Sequence, residues 1–350
     1  MAHASSPSLT PLLVVGELCV DLIIELDGDL RFGQHEQLVP STTLTMGSSS
    51  AITACGAAAL GVPTSLLSVR GDDTFGSFLD AELARRGVGT ELVRIDAELP
   101  TGASTHLTRP GGDRAILTSM GSIGRIAASE VPDAVLSRFG HLHVGSYFLQ
   151  EDLWADAAGL FARARALGLT TSLDGNFDPT EQWDRGVLGV LASVDVFFGN
   201  EQEICGITRI HDLDAAVEAL LDVMPEGAVV VCKLGAEGAV AARLSGGQTQ
   251  RTRAATPTVE GELVDTVGAG DTLAAGFLAA RLSDAGIADA LALAVACGTA
   301  STRGAGGVGA QPGLAAATAL AATVEVTGEV TAEVGDAATV PSRDSRDTSP

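Results

Sequence analysis

The residues best placed to do chemistry stand in the segment Asp265-Thr-Val-Gly-Ala-Gly-Asp271. Gly268-Ala-Gly270 is a turn of small residues that leads directly into an apolar run with helical character. The backbone N–H groups of such a turn can point at a bound anion, and the dipole of the following helix favours negative charge there. Asp271, at the start of that helix, could be only a cap. It could also take the proton from a hydroxyl that attacks a phosphoryl group held by the turn.

Other phosphate motifs are missing or lack their context. The sequence has no GxxxxGKS/T segment and no HRD or DFG set, which argues against a P-loop enzyme and a protein kinase. Gly304-Ala-Gly-Gly-Val-Gly309 matches the dinucleotide pattern G-x-G-x-x-G, but an Ala-rich helical run precedes it and too little chain follows for a βαβ unit. We interpret it as a loop bordering the nucleotide or a cation site. An NAD-linked dehydrogenase built on it would require measurable NAD binding.

The composition limits the classes of partner. The chain has 350 residues, of which 46% are hydrophobic and 19% charged, as in a folded protein and not a disordered one. Its formal net charge is −23, which argues against binding to nucleic acid or to an anionic membrane, because both need clustered basic residues. The acidity still permits a phosphorylated ligand, since a local nest of backbone amides can bind an anion.

The cysteines and the N-terminus indicate a reducing compartment. The five cysteines are widely scattered and form no CxxC pair, which argues against a disulfide framework and a structural zinc site. Residues 1–10 lack the basic and apolar stretches of a signal peptide, and no run is long and apolar enough to span a bilayer. We therefore expect a cytoplasmic protein. His141 and His143 alternate on a strand, but no third metal ligand is nearby, so we expect core or edge histidines.

Two patterns of apolar residues follow one another along the chain. Residues 22–46 and 101–122 read as hairpins, whereas from about residue 130 apolar runs alternate between strand and helix character. Such alternation predicts an α/β fold with a mostly parallel central sheet and helices on both faces, and the hairpins predict a small β-sheet lid. We expect residues 1–322 to form this domain and residues 323–350 to be a disordered acidic tail. The predicted strands cover residues 12–15, 65–69, 141–144, 170–173, 194–198 and 228–232, and the predicted helices cover 50–60, 75–86, 152–167, 187–192, 213–221, 272–282, 288–299 and 315–324.

A series of ordered motifs resembles the ribokinase-like (PfkB) family of carbohydrate kinases. The segment 265–271 is similar to the family's C-terminal signature, and the other family-like elements occur in the family's order over roughly residues 12–322. They are Gly16-Glu-Leu-Cys-Val-Asp21, Gly47-Ser-Ser-Ser-Ala-Ile-Thr-Ala, Gly71-Asp-Asp-Thr-Phe-Gly76, Asp174-Gly-Asn176, Asn200-Glu-Gln-Glu203 and Lys233-Leu-Gly-Ala-Glu-Gly238. The resemblance implies a ribokinase-like fold and an ATP-dependent kinase that acts on an alcohol group of a sugar or sugar-like molecule.

The resemblance also implies roles at the catalytic end of the site. Asp271 would be the general base, and the amides of Gly268, Ala269 and Gly270 would form the anion hole. Asn200 and Glu203 would organise Mg²⁺, with Glu203 acting through water, because that ion keeps much of its hydration. The residues expected to border ATP are Lys233, Gly235, Gly238 and Thr266.

On the acceptor side, the resemblance implies that Asp21 and Gly47 face the sugar together with Asp271. In some relatives a K⁺ ion is bound nearby, and here Asp265 and the Val267 carbonyl would border that monovalent-cation site. The cofactors expected from the resemblance are therefore ATP and Mg²⁺, with K⁺ as a further candidate. The early hairpins of this family form a lid within one subunit or a clasp between two, so a homodimer through the lid is an open alternative.

Three departures from the family pattern lie on the acceptor side. Ser48 stands where relatives have a second glycine, and Ile52 stands about where they have an asparagine. The Asp174-Gly-Asn176 motif continues into Phe177-Asp-Pro179, where relatives often have arginine. An aliphatic side chain cannot bond a sugar hydroxyl, so these changes make ribose a poor candidate and leave the acceptor open. A nucleoside kinase, for which Ile52 would offer an apolar surface, and a non-catalytic sugar or nucleotide sensor are the alternatives.

Overall fold

Two sheets organise the chain in the computed structural model, which describes residues 9–111 and 113–330. The strands are β1 (Leu12–Val15), β2 (Cys19–Glu25), β3 (Ser41–Met46), β4 (Thr64–Gly71), β5 (Gly89–Asp96), β6 (Gly102–Thr108), β7 (Arg114–Ser119), β8 (His141–Val144), β9 (Thr170–Asp174), β10 (Val196–Asn200), β11 (Val229–Lys233), β12 (Ala239–Ser245), β13 (Gln248–Ala254) and β14 (Val326–Val330). The helices are α1 (Ser49–Ala59), α2 (Thr74–Arg85), α3 (Asp133–Leu136), α4 (Ala157–Ala166), α5 (Val187–Leu191), α6 (Glu201–Thr208), α7 (Leu213–Val223), α8 (Ala269–Arg281), α9 (Ile287–Ser301) and α10 (Leu314–Ala321).

The large sheet has ten strands in the order β14-β13-β12-β11-β10-β9-β8-β1-β4-β5. The strands from β11 to β5 in that order run parallel, and β12 to β14 add an antiparallel edge. The parallel strands are short aliphatic runs such as Leu12–Val15, which is buried along its whole length. Strands buried on both faces need apolar side chains at every position. The prediction of a mostly parallel sheet is confirmed.

Helices cover both faces of that sheet. Leu13 and Val15 of β1 pack into a core with α4 to α7, whereas Leu12 and Val14 point to the other face and pack with α1, α2 and α8. The second face is built from small residues that allow close approach. A Cβ atom on Gly56 of α1 would lie 2.8 Å from the Cβ of Ala275 in α8. The abundance of glycine and alanine therefore serves close packing of helices, which places the start of α8 beside the start of α1.

The four-stranded sheet, which we call the lid, has the order β3-β2-β6-β7. Its two hairpins are antiparallel, and β2 and β6 join them in parallel. Since strand residues alternate between faces and Asp21 pairs with Ser104, the side chains of Asp21, His106 and Arg114 share one face. Leu22 pairs with Leu44 and belongs to the opposite face, together with Leu117. The predicted small sheet is confirmed, and its first strand begins at Cys19.

Some predicted boundaries were wrong. The predicted tail from residue 323 includes β14, which pairs with β13 from Val326 to Val330 and extends the sheet by one strand. Residues 331–350 of that predicted tail lie outside the described residues. The pattern also missed β5, β12, β13 and α6. Within the described residues, no helix is long and apolar enough to cross a membrane.

Candidate active site

The turn before α8 is shaped by two loops that touch. Gly268 caps α8 with φ 69°, a left-handed conformation that side chains other than glycine rarely adopt. A Cβ atom on Gly268 would also lie 2.6 Å from the Cα of Gly307, so the position has no space for a side chain. The turn therefore approaches the glycine-rich loop 304–309 closely and leaves the first amides of α8 free of intrahelical partners.

A cavity of about 640 Å³ opens in front of this turn. It brings together nine of the residues predicted for the site, namely Asn200, Glu203, Lys233, Gly235, Gly238, Thr266, Ala269, Gly270 and Asp271. The cavity extends along α9 past Val295 and Gly298. The remaining predicted residues, Asp21, Gly47, Asp265, Val267 and Gly268, lie outside this lining.

Asp271 is held in a position where it can exchange a proton near neutral pH. The Ser49 hydroxyl, at the start of α1, donates a hydrogen bond to Asp271 Oδ1. The pKa of Asp271 is raised to about 7, mainly by burial and also by the carboxylate of Asp174, while Lys233 and the Ser49 hydrogen bond oppose the shift. A carboxylate with such a pKa can accept a proton from a hydroxyl and release it again.

Lys233 lies among the carboxylates of Asp174, Glu203 and Asp271. Its Nζ donates to both oxygens of Asp174 at 2.9 and 3.2 Å. Burial acts to lower the pKa of Lys233, but Asp174, Glu203 and Asp271 outweigh it, and the pKa is raised. A Cβ atom on Gly270 would meet the lysine Cδ at 3.2 Å, so the glycine lets the side chain pass close to the turn. Lys233 thus stays charged beside the anion-binding turn.

Asn200 and Glu203 have a structural role as well as a place in the cavity. The Glu203 amide donates to Asn200 Oδ1 at 2.9 Å, and the Asn200 amide donates to Glu203 Oε2 at 2.9 Å. This capping box starts α6 directly after β10. Burial raises the pKa of Glu203, and the nearby Lys233 lowers it. The pair is therefore fixed in orientation before any ligand arrives.

On the acceptor side, Asp21 lies against the backbone of Gly47. A Cβ atom at Gly47 would overlap the Asp21 carboxylate, at 2.1 Å from Oδ1. His106 of the lid, which the sequence argument missed, places Nε2 3.4 Å from Asp21 Oδ2, and both side chains are buried. The lid register decides this contact, and the register cannot be read from the sequence.

Glu17 is a second carboxylate that the sequence argument missed. It is 3% exposed and accepts hydrogen bonds from Ser50 Oγ at 2.6 Å, Ser146 Oγ at 2.8 Å and Gln150 Nε2 at 3.0 Å. These bonds join the start of α1 to the segment after β8. Glu17 belongs to the Gly16–Asp21 motif, and its place two residues after the end of a buried strand was the available signal.

The departures at Ser48 and Ile52 have different structural meanings. Ser48 has φ 75°, which explains why a glycine suits this position, and its hydroxyl caps α1 by accepting from the Ala51 amide at 3.0 Å. Ile52 is 2% exposed. Its side chain lies behind the anion-binding turn, where Cβ atoms on Gly268 and Gly307 would meet it at 3.0 and 2.2 Å. The expectation that Ile52 offers an apolar surface to an acceptor was therefore wrong.

Asp265 joins three parts of the site. Its Oδ1 accepts from the Val267 amide at 3.0 Å, and its Oδ2 accepts from the Gly306 amide at 3.0 Å. Arg114 of the lid brings its guanidinium to 3.5 Å from Oδ1. The segment 304–309 is a loop after α9, as predicted, and it supports the turn through Asp265. Its place beside a nucleotide or a cation stays a prediction. Its G-x-G-x-x-G pattern has no strand before it and is not a dinucleotide fingerprint.

His141 and His143 are core residues. His141 bonds the hydroxyls of Thr170 and Ser172, each at 2.7 Å, and His143 Nδ1 lies 2.8 Å from the Ser172 hydroxyl. Burial lowers the pKa of both histidines to about 3. The expectation of core histidines agrees with these contacts, and they belong to the sheet rather than to the site.

The sequence model for the "pfkB family carbohydrate kinase" matches residues 9–312, nearly the whole described chain. The chain belongs to the pfkB family of carbohydrate kinases. This pfkB kinase is 31% identical over 283 residues to an "ATP-dependent ribose-1-phosphate kinase" of Halopiger xanaduensis, which covers 80% of the chain and 86% of that relative. It is 29% identical over 299 residues to a "2-dehydro-3-deoxygluconokinase" of Thermoproteus tenax, covering 83% of the chain and 87% of the relative.

Solved structures show the same fold. A ribokinase of Arabidopsis thaliana complexed with ribose and ATP superposes with a TM-score of 0.74 at 21% identity, covering 89% of this chain and 99% of that chain. A putative ribokinase II of E. coli in complex with ATP and Mg²⁺ superposes with a TM-score of 0.75 at 22% identity, with the same coverage. The pfkB kinase therefore has a ribokinase-like fold, and its family membership makes it an ATP-dependent enzyme that phosphorylates an alcohol group of a sugar.

Proposed function

We propose that the acceptor is a small sugar or sugar phosphate, bound between the lid and the turn with one hydroxyl directed at Asp271. The observation that carries this proposal is Asp271 itself, which stands beside the anion-binding turn with a pKa of about 7. Asp21 and His106 of the lid offer polar groups for the rest of the acceptor. Ribose 1-phosphate is the first acceptor to test, because a relative at 31% identity is named for it.

In the proposed reaction the acceptor oxygen attacks the γ-phosphorus of ATP and gives its proton to Asp271. The amides of Gly268, Ala269 and Gly270 stabilise the negative charge that develops on the transferred group. Lys233, Gly235, Gly238 and Thr266 line the part of the cavity proposed for ATP. Asp21 and Gly47 face the acceptor, and the lid excludes water, which limits wasteful hydrolysis of ATP.

An acceptor panel tests this proposal. Release of ADP is measured with ribose 1-phosphate, ribose, 2-dehydro-3-deoxygluconate, fructose and adenosine, each in the presence of ATP and Mg²⁺. We expect turnover with a sugar or sugar phosphate, and little with adenosine, since Ile52 is buried away from the acceptor. Turnover with adenosine alone would replace the proposal with a nucleoside kinase. Tight ligand binding without ADP release from any acceptor would favour the sensor alternative.

The donor atoms fit Mg²⁺ held through water. Within the described residues, no group of three or more His, Cys, Asp or Glu side chains is arranged to enclose a metal ion. Mg²⁺ is commonly held by one or two carboxylates together with water and substrate phosphates, so an all-protein cage is not needed. Glu203 lines the cavity with its carboxylate already oriented by Asn200. When bound, Mg²⁺ would neutralise charge on the phosphates of ATP.

A monovalent cation at Asp265 and the Val267 carbonyl is a further part of the proposal. The Asp265 carboxylate is the donor that such an ion would use, but Arg114 already lies 3.5 Å from it. K⁺ would therefore compete with the guanidinium for this carboxylate. We expect turnover to require Mg²⁺ and to depend only weakly on K⁺. Rates in KCl and in choline chloride at equal ionic strength, each with and without EDTA, measure both dependences. A large loss in choline chloride would contradict the weak dependence.

We also propose that two copies associate through the outer face of the lid. This face presents Leu44 and Leu117, which are 40% and 60% exposed, and the loop between β2 and β3 exposes Phe32 and Leu38. Apolar side chains grouped on one sheet face are typical of an interface. The face carries little charge, so it is a region where two copies with a net charge of −23 each can approach.

A further inference from the structure

The cavity must accommodate the triphosphate of ATP, although two carboxylates are part of its polar wall. Asp271 and Glu203 line it. The basic side chains in the lining are Arg114, Lys233 and Arg303. Lys233 is already engaged with both oxygens of Asp174. The phosphates therefore need a further cation, and the arginines are the candidates that the described lining offers.

Arg114 differs from the other two cations because it comes from the lid. It is the first residue of β7 and shares a face with Asp21 and His106, which is the face turned towards the site. Its side chain is 31% exposed, so the guanidinium borders open space and is not locked in the core. Among the residues that line the cavity, Arg114 is the one that belongs to the lid.

The contact that holds Arg114 is easily exchanged. The guanidinium lies 3.5 Å from Asp265 Oδ1, and this pair is partly exposed. A partly exposed pair at this distance contributes little to stability. Both oxygens of Asp265 keep a backbone partner without the arginine, at Val267 and at Gly306. Departure of Arg114 would leave no buried carboxylate oxygen unpaired.

We propose that Arg114 is a catalytic residue that leaves Asp265 and contacts the γ-phosphoryl group while it is transferred. This inference rests on the proposed kinase reaction. In that step a bond forms between the acceptor oxygen and the γ-phosphorus, and the bond from phosphorus to the β,γ-bridging oxygen breaks. ADP leaves with the electron pair, and the acceptor proton goes to Asp271. The planar guanidinium binds two phosphoryl oxygens at once and offsets the charge that develops on them.

The arrangement couples the chemistry to closure of the lid. Arg114 and Asp21 belong to one sheet, so a lid that moves as a unit and brings Asp21 onto the acceptor also brings Arg114 towards the phosphate. An enzyme without a bound acceptor would hold the arginine on Asp265, away from the γ-phosphate. ATP would then be protected from attack by water until the acceptor is in place.

The test compares Arg114→Ala and Arg114→Lys with Arg109→Ala. Arg109 is a matched control, because it lies on the same hairpin and pairs with the highly exposed Asp29 instead of a residue of the site. For Arg114→Ala we expect kcat at saturating acceptor to fall about 10²- to 10³-fold. Arg114→Lys keeps the charge without the two-pronged geometry and should lie between this variant and the wild type. Arg109→Ala should stay within about twofold of the wild type.

Nucleotide binding supplies a readout that does not depend on the acceptor. Calorimetry with ADP and with the non-hydrolysable β,γ-imido analogue of ATP, both with Mg²⁺, should show that Arg114→Ala keeps its affinity for ADP and loses affinity for the analogue. Retained ADP affinity also shows that the variant is folded. If the wild type turns over no acceptor, the proposed reaction fails while this comparison still tests the phosphate contact.

Two outcomes would overturn the inference. The first is a kcat for Arg114→Ala within about threefold of the wild type, as for the control. The second is a loss confined to the KM of the acceptor, with kcat kept at saturation and the analogue bound normally. That result would make Arg114 a latch between the lid and Asp265 rather than a residue that touches the phosphoryl group.

Discussion

At the scale of single residues, the site depends on the carboxylate of Asp271, which can take up a proton near neutral pH although other charged groups surround it. Asp271 shares the cavity with Lys233, whose charge is held by Asp174. Burial is the largest cause of the raised pKa of Asp271, and Ser49 and Lys233 limit it. The surroundings of Asp271 therefore set its pKa, and no nearby histidine is needed for proton transfer at neutral pH.

The pKa of Asp271 predicts how the rate and the stability depend on pH. A base with a pKa of about 7 must be deprotonated, so kcat should rise about tenfold per pH unit below pH 7 and level off above it. The folded protein binds the proton more tightly than the unfolded chain, in which the pKa of the carboxyl has its ordinary value of 3.8. The contribution to stability is therefore present in acid and is lost as the pH rises towards 7.

Asp271→Asn checks both effects in one variant. We expect turnover to fall by at least about 10³-fold, because the amide cannot take the proton. At pH 7 we expect Tm to rise by roughly 2–5 °C, since a buried charge is removed while Ser49 keeps its acceptor. Asp184→Asn, an exposed carboxylate outside the cavity lining, serves as the control for both readouts. Near-wild-type turnover by Asp271→Asn would remove Asp271 from the role of base.

At the scale of elements, the helices and strands that could be predicted are those whose sequence pattern fits only one structure. Strands such as 12–15 and 141–144 were predicted with the correct bounds, because continuous aliphatic runs between turns have few other uses. The strands β5, β12 and β13, which lie at or near the ends of the large sheet, were missed because half-exposed strands mix polar and apolar residues. The helix α6 was not among the predicted helices, although the capping box of Asn200 and Glu203 is a typical helix start.

The site was predictable where one segment carries it and not where distant elements meet. The turn, Asp271, Asn200 and Glu203 follow from local motifs. The contacts of Glu17, His106 and Arg114 depend on strand register and on how the lid sits over the core, and neither is encoded within a short window. Ile52 was misread for the same reason, since its burial against loop 304–309 joins segments about 250 residues apart in the sequence.

The turn before α8 allows a test at this scale. Gly268→Ala places a Cβ 2.6 Å from the Cα of Gly307 in a backbone conformation with φ 69°. We expect a loss of about 1–3 kcal/mol in the free energy of unfolding. We also expect at least a tenfold loss in kcat, because the anion-binding amides must shift.

Gly286→Ala is the matched control for that variant. Gly286 caps α9 with φ −65° and has no atom within 4 Å of a built Cβ, so alanine fits there without strain. Urea denaturation and steady-state kinetics of both variants give the comparison. Equal stability and equal kcat for the two variants would mean that the turn has more room than its contacts indicate.

At the scale of the whole molecule, the lid meets the core beside the anion-binding turn. The guanidinium of Arg114 in β7 pairs with Asp265 of the core. Thr45 of β3 packs against Gly306, since a Cβ atom on Gly306 would lie 2.7 Å from the Thr45 side chain. The same glycine-rich loop therefore touches both the lid and the anion-binding turn. We therefore expect a movement of the lid to shift the anion-binding turn through this loop.

The outer face of the lid predicts the state of assembly. If two copies associate through it, Leu117→Asp, which places a charge on an apolar position that is 60% exposed, should convert a dimer into a monomer. Light scattering after size-exclusion chromatography measures the mass. Leu167→Asp, 41% exposed and remote from the lid, is the control and should not change it. A wild-type protein that is monomeric at all concentrations tested would exclude this interface.

The close contact between α1 and α8, where Gly56 meets Ala275, has a consequence for how such an enzyme can diversify. Helices packed this tightly tolerate only small residues at their contact, and these helices carry the Ser49 and Asp271 ends of the site. Mutational drift is then confined to exposed surfaces such as the lid, whose strands accept varied side chains. New acceptors can be explored there by natural selection while the phosphate-handling half of the enzyme is inherited unchanged.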